Sequence, residues 1–126
     1  MRKIIYEDCN NNATFLKDLF TQIQSFSDTQ LDWNISNLDF IPIDKGDYIN
    51  GVPTPEMEII YDFQKRMLEA DIVIIAHSEF MHLLEDIRTI YEGNFVTMIK
   101  NKPIKIKVFD GDIIEVDGEL QNKIRF

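Results

Sequence analysis

Apolar residues recur at the spacing of one helical face in three segments of the chain. The first segment follows Asn12, a favourable N-cap, and the second opens at Thr54 and Pro55, a typical N-cap and first helical position. The apolar positions are Phe15, Leu16, Leu19, Phe20, Ile23 and Phe26, then Ile59, Ile60, Phe63 and Met67, then Leu83, Leu84, Ile87, Ile90 and Tyr91. The pattern predicts three amphipathic helices.

Apolar runs rich in β-branched residues alternate with these helices at residues 3–6, 33–38 and 71–76. The last of them, DIVIIA, is apolar at every position after its first, which is typical of a central strand covered on both faces. Residues 1–93 therefore have the predicted order β-α-β-α-β-α, which implies a parallel sheet with right-handed crossovers.

The remaining residues, 94–126, follow a different pattern. Isoleucine and valine alternate with lysine in the run IKIKV at residues 104–108, which indicates a strand with one wet face. The pairs Asp-Gly at 110–111 and 117–118 are hairpin turn signals. We therefore expect a C-terminal antiparallel β-meander, joined to the parallel core in one domain over residues 1–126.

The net charge limits the classes of macromolecule that the chain is expected to bind. The formal net charge is −9, and residues 1–93 alone carry 7 Lys/Arg against 17 Asp/Glu. This balance disfavours nucleic acid and suits a protein partner with a basic surface. A negative patch around the long loop FIPIDKGDYINGVP is the predicted partner-binding surface, formed by Asp39, Asp44, Asp47, Glu56 and Glu58. A second copy of the chain is a further candidate partner.

Other compositional features exclude several classes of site. The single Cys9 leaves no internal disulfide framework, and no apolar run approaches the ~20 residues that cross a bilayer. We expect a cytoplasmic protein that does not bind membranes.

A basic stripe is predicted to protect a sheet edge from aggregation, and it consists of Lys100, Lys102, Lys105 and Lys107.

Residues 58–93 resemble the flavodoxin-like superfamily, especially NAD(P)H-dependent FMN reductases and quinone reductases. The resemblance is carried by the sequence LEAD at residues 68–71, the apolar strand that follows it and the sequence IRTIYEG at residues 87–93. The sequence NISNLDFIP at residues 34–42 is similar to the family's second strand and following loop. The resemblance implies a three-layer α/β fold and, in the family, an FMN cofactor.

The two loops that hold FMN in that family are altered in this chain. Residues 8–14 align with the family's Ser/Thr- and Gly-rich phosphate loop but retain only Asn12, and the carboxylates of Glu7 and Asp8 would lie beside the phosphate. Such like charges cost on the order of a few kcal/mol. The resemblance implies that any FMN would be held by Asn10, Asn11, Asn12, Ala13, Thr14, His77 and Phe80.

The main interpretation is a non-catalytic flavodoxin-like protein that binds a macromolecular partner, as an inhibitor, immunity or accessory protein. The alternative is an FMN-dependent redox protein. A weaker hypothesis makes Cys9 a phosphate-binding nucleophile, although Phe15 occupies the position where tyrosine phosphatases have an arginine. A divalent metal held by His77, His82 and Asp86 is also disfavoured, because no recognised metal-ligand spacing is present.

Overall fold

The computed structural model describes residues 1–43, 48–49, 52–53 and 55–125. Its strands are β1 (Arg2–Ile5), β2 (Asp32–Pro42), β3 (Tyr48–Ile49), β4 (Val52–Pro53), β5 (Val73–Ala76), β6 (Ile87–Ile99), β7 (Lys102–Phe109) and β8 (Ile113–Asp117). Its helices are α1 (Ala13–Ser25), α2 (Pro55–Glu69) and α3 (His77–Leu84), followed near the C-terminus by a short 3₁₀ helix, Gln121–Lys123.

Six strands form one sheet in the order β1-β8-β7-β6-β2-β5, and every neighbouring pair in it is antiparallel. The strands β3 and β4 pair separately as a small antiparallel ribbon. The predicted parallel core and the flavodoxin-like fold are therefore wrong. The alternation of strands and helices along the chain is compatible with either orientation, because a helix can also connect antiparallel strands that are neighbours in a sheet.

The largest local difference lies in the third predicted helix. The helix α3 ends at Leu84, and the residues that were expected to continue it, Ile87 to Tyr91, begin the 13-residue strand β6. The segment is rich in β-branched and aromatic residues, and β6 pairs with β2 on one side and β7 on the other. The ladder with β2 covers Ile87 to Val96 of this strand, and the ladder with β7 covers Gly93 to Ile99.

The strand β5 was expected to be central and covered on both faces, but it lies at the outside of the sheet. Val73 and Ile75 are buried, whereas Ile72 and Ile74 are 58% and 61% exposed. An uninterrupted apolar sequence is therefore half-exposed here. The predicted first helix and the first of the two predicted hairpins of the tail are confirmed by α1 and by β7 and β8. The second predicted hairpin, at Asp117-Gly118, is wrong, because the chain leads from there into the 3₁₀ helix and no described strand follows.

The helices cover one face of the sheet. Phe20 of α1 and Phe80 of α3 contact Trp33 and Phe95, which project from β2 and β6, and these rings form the centre of the core. Phe63 of α2 packs near Phe40 at the far end of β2. Within the described part of the chain, no helix combines the length and apolarity needed to span a membrane.

The other face of the sheet carries polar side chains together with exposed apolar ones such as Ile74 and Met98. Lys105 and Lys107 point away from the core and are exposed, as the alternating pattern predicted. They lie opposite Asp117 and Glu115 of β8. The strand β7 is internal, so these two lysines do not protect a sheet edge, and the prediction that they do so is wrong.

Candidate functional site

The strand β2 is much longer than the neighbour on its outer side. The strand β5 pairs only with Asp32–Ile35, so the β5-side edge of β2 from Ser36 to Pro42 has no strand partner among the described residues. Unpaired backbone N–H and C=O groups on a strand edge can accept another extended segment. This stretch of β2 is therefore the first element of a candidate site.

A β-bulge marks the point where this open edge begins. Ser36 pairs with Asn94 and Asp39 pairs with Glu92, so two residues of β2 lie opposite Gly93. Asn37 takes a positive φ of 51°, which asparagine tolerates better than most residues. A Cβ atom on Gly93 would lie 2.7 Å from the ring of Phe95, so any larger residue opposite the bulge would have to displace that ring. A bulge of this kind bends a strand and increases its local twist.

A cleft of about 590 Å³ lies between the open edge of β2 and the C-terminal end of α2. Its charged side chains, in the described part of the chain, are the carboxylates of Asp39 and Asp71. Apolar surface comes from Leu68 and Ile72, which are 89% and 58% exposed. The complete lining is Ser36, Asn37, Leu38, Asp39, Phe40, Gln64, Met67, Leu68, Ala70, Asp71 and Ile72. This arrangement combines backbone hydrogen-bonding groups, negative charge and exposed apolar surface.

The cleft contains one member of the predicted acidic patch, which is Asp39. Asp44 and Asp47 lie outside the described residues. Glu56 and Glu58 belong to α2, but their side chains also lie outside the description. The sequence did not single out Asp71 or the asparagine at the bulge, although an asparagine within the strand-like run NISNLDF is a signal for an irregular strand.

Asn12, which was predicted to hold phosphate, is fully buried and its side chain is engaged with the backbone. Its Nδ2 donates to the carbonyl oxygens of Ile90 at 2.7 Å and Gly111 at 2.9 Å, and its Oδ1 accepts from the N–H of Ile90 at 2.8 Å. It stands at the N-cap of α1 without a side-chain capping bond. Asn12 therefore ties the start of α1 to β6 and to the turn between β7 and β8.

The other residues of the two predicted FMN loops are not brought together around one space. Asn10, Asn11 and Thr14 are exposed near the start of α1, where Ala13 is buried. Phe80 is buried in the aromatic core, and the N–H of His77 donates to the carbonyl of Leu31, which follows the other end of α1. The two loops thus lie toward opposite ends of a helix roughly 20 Å long.

His77 makes a specific contact inside the fold. Its Nδ1 accepts a hydrogen bond of 3.0 Å from Nε1 of Trp33, so the neutral imidazole carries its proton on Nε2. Burial lowers the pKa of His77 below its usual value of 6.5. His82 is exposed and lies 3.6 Å from a carboxylate oxygen of Glu85. No group of three potential metal ligands occurs within the described residues.

Cys9 is a free, half-buried thiol before α1. Its carbonyl oxygen lies 2.9 Å from the position that a Cβ atom on Gly111 would occupy, so the backbones pack closely there.

No protein-family model, curated protein or solved structure matches the chain. The cleft beside β2 is accordingly assigned from its own geometry and charge.

Proposed function

We propose that the chain is a non-catalytic binding protein, of the inhibitor, immunity or accessory type, whose β2 cleft receives an extended basic segment of a partner protein. The observation that carries the proposal is the edge of β2 from Ser36 to Phe40, which no described strand pairs with and which lies beside the carboxylates of Asp39 and Asp71. The same proposal places the encounter in the cytoplasm, where Cys9 would remain a free thiol.

Backbone hydrogen bonds to the open edge of β2 would fix the orientation of the bound peptide. A peptide added to the open edge of β2 would exchange N–H···O bonds with it, as occurs when an extended segment augments a sheet. The edge from Ser36 to Phe40 is about 16 Å long, enough for roughly five peptide residues. One row of peptide side chains would then face the exposed apolar surface of Leu68 at the end of α2.

Charge would select the sequence of the bound segment. Asp39 and Asp71 are both exposed carboxylates, and the described lining contributes no cationic side chain. The surrounding residues 1–93 carry a formal excess of ten negative charges, the difference between 17 acidic and 7 basic residues. Long-range attraction raises the association rate of a cationic partner, and salt screens it.

The test uses a fluorescein-labelled peptide of alternating lysine and valine, with binding followed by fluorescence anisotropy. We expect saturable binding that weakens several-fold between about 50 mM and about 300 mM NaCl. Asp39→Asn and Asp71→Asn should each weaken binding by about two- to fivefold, since an exposed ion pair contributes at most about 1 kcal/mol. Asp28→Asn is the matched control, because Asp28 is exposed but lies outside the cleft, and it should leave the affinity unchanged.

A second peptide separates strand pairing from charge alone. It has the same side chains but is N-methylated at alternate residues, so that one of its edges cannot donate backbone hydrogen bonds. We expect it to bind at least tenfold more weakly, a loss of about 1.4 kcal/mol. Equal affinity of the two peptides, or equal losses in Asp28→Asn and Asp39→Asn, would show that the peptide does not occupy the β2 edge.

A further inference from the structure

The outer edge of β5 is a second exposed strand edge, and of residues 72–76 along it only Ile72 also lines the cleft. The sheet ends at β5, and no described strand pairs with its outer side. Ile74 projects from this strand on the open face and is 61% exposed. Natural proteins usually protect an edge strand with charge, proline or a bulge. The sequence Ile72 to Ala76 has no charged residue and no proline.

The opposite edge of the sheet shows the contrast. There the outer strand is β1, whose four residues include Arg2 and Lys3. The guanidinium of Arg2 donates to the carbonyl oxygens of Gln121 and Ile124, so the C-terminal segment packs beside this strand. Charge and a covering segment therefore protect the β1 edge, whereas β5 has apolar side chains.

We propose that the outer edge of β5 pairs with β5 of a second copy of the chain, forming a twofold-symmetric dimer with a continuous sheet. A twofold interface requires a surface that is complementary to itself. Antiparallel pairing centred on Ile74 places Ile74 opposite its own copy, Val73 opposite Ile75, and Ile72 opposite Ala76. Every pair in this register is apolar and joins side chains on the same face of the sheet.

The composition of the edge favours a second copy over the basic partner of the cleft. The residues Ile72 to Ala76 offer no carboxylate to a cationic segment. They place no like charges opposite each other when the strand meets itself. The net charge of −9 on each copy opposes association over long distances, so the dimer should strengthen with salt, whereas peptide binding in the cleft should weaken.

The contact is short, so we expect a weak dimer that depends on concentration. Sedimentation velocity of the full chain from about 10 µM to about 1 mM should show a monomer that becomes a dimer and no larger species. Raising NaCl from about 50 mM to about 500 mM should lower the dissociation constant several-fold. A monomer at every concentration and salt, growth beyond the dimer, or weaker association at high salt would overturn the proposal.

Three substitutions locate the interface. Ile74→Lys should abolish dimerisation, because it places two ammonium groups opposite each other. Ile5→Lys tests the opposite edge at a residue that is 72% exposed, and Met98→Lys tests the open face of internal strand β6 at a residue that is 51% exposed. Both of these variants should dimerise like the original chain. Loss of the dimer in either one would assign the interface to the β1 edge or to the open face, and not to β5.

One measurement needs no substitution and so does not depend on a variant that folds. In a mixture of isotope-labelled and unlabelled chains, an intermolecular nuclear Overhauser effect should join the Hα atoms of residues 73 and 75 or of the two copies of residue 74. Intermolecular signals from other residues alone would refute the register. The dimer proposal and the peptide-binding proposal can be refuted separately, because added salt should strengthen dimerisation and weaken peptide binding.

Discussion

Replacing Asn12 with alanine should unfold the protein at a much lower temperature, although residue 12 lies in a polar loop sequence. The change removes three buried hydrogen bonds, two to the carbonyl oxygens of Ile90 and Gly111 and one from the N–H of Ile90. Alanine offers no donor or acceptor in their place. These backbone groups then stay buried without their side-chain partner.

The magnitude follows from the number of bonds. Each buried hydrogen bond contributes about 1–1.5 kcal/mol, so the loss of three should lower the free energy of unfolding by about 3–4.5 kcal/mol. That is a large part of the roughly 5–15 kcal/mol that is usual for a domain. For a chain of this size, roughly 4 °C accompanies each kcal/mol, so Tm should fall by about 12–18 °C.

Urea unfolding followed by the fluorescence of Trp33 provides the assay, because Trp33 is the single tryptophan of the chain and is fully buried. Asn10→Ala is the matched control, since Asn10 is an exposed asparagine of the same loop. It should change the free energy of unfolding by less than about 0.5 kcal/mol. Equal, small effects of the two substitutions would refute the anchoring role of Asn12. They would support the exposed loop position that the sequence suggested.

Two further predictions concern stability. Because burial lowers the pKa of His77 in the folded state, the unfolded chain binds a proton first, and stability should fall as the pH drops through 6.5 toward the folded pKa. Urea midpoints measured between about pH 8 and about pH 5.5 should show a shallower dependence on pH in His77→Gln than in the original chain. Gly93→Ala should cost about 1–3 kcal/mol in thermal unfolding, since its Cβ atom would meet the ring of Phe95 opposite the bulge. A Gly93→Ala protein as stable as the original would show that the ring can move aside.

The local sequence pattern predicted the structure correctly in segments whose structure does not depend on contacts with distant parts of the chain. The apolar stripe after Asn12 predicted α1, and its positions Leu16, Leu19, Phe20 and Ile23 are buried. The alternation at residues 104–108 predicted a strand with one wet face, and Ile104, Ile106 and Val108 are buried. The Asp-Gly pair at 110–111 predicted the turn between β7 and β8. These features depend on periodicity and turn chemistry, which are properties of adjacent residues.

The candidate site was predicted only in part. Asp39 was singled out for its charge and lies in the cleft. The asparagines of the loop were singled out for their position after a strand, but Asn12 is buried in the hydrogen-bonding network of the fold. A short polar side chain has the same sequence signature whether it contacts a ligand or a distant backbone group. Ile90 and Gly111, its partners, are remote in the sequence.

The amino-acid sequence by itself determined the amphipathic face of α1, the first hairpin of the tail and the acidity of residues 1–93. It predicted the helix α2, but Ile59, which was expected on the buried face of that helix, is 49% exposed. Tertiary structure alone decided that β2 lies between β5 and β6, that all pairs in the main sheet are antiparallel, and that residues 87–91 extend a strand and not a helix. The physical reason is that a strand completes its hydrogen bonds with partners far away in the chain, so its neighbours and their direction are fixed by the whole sheet. The open edge of β2 and the exposed edge of β5 are consequences of that arrangement.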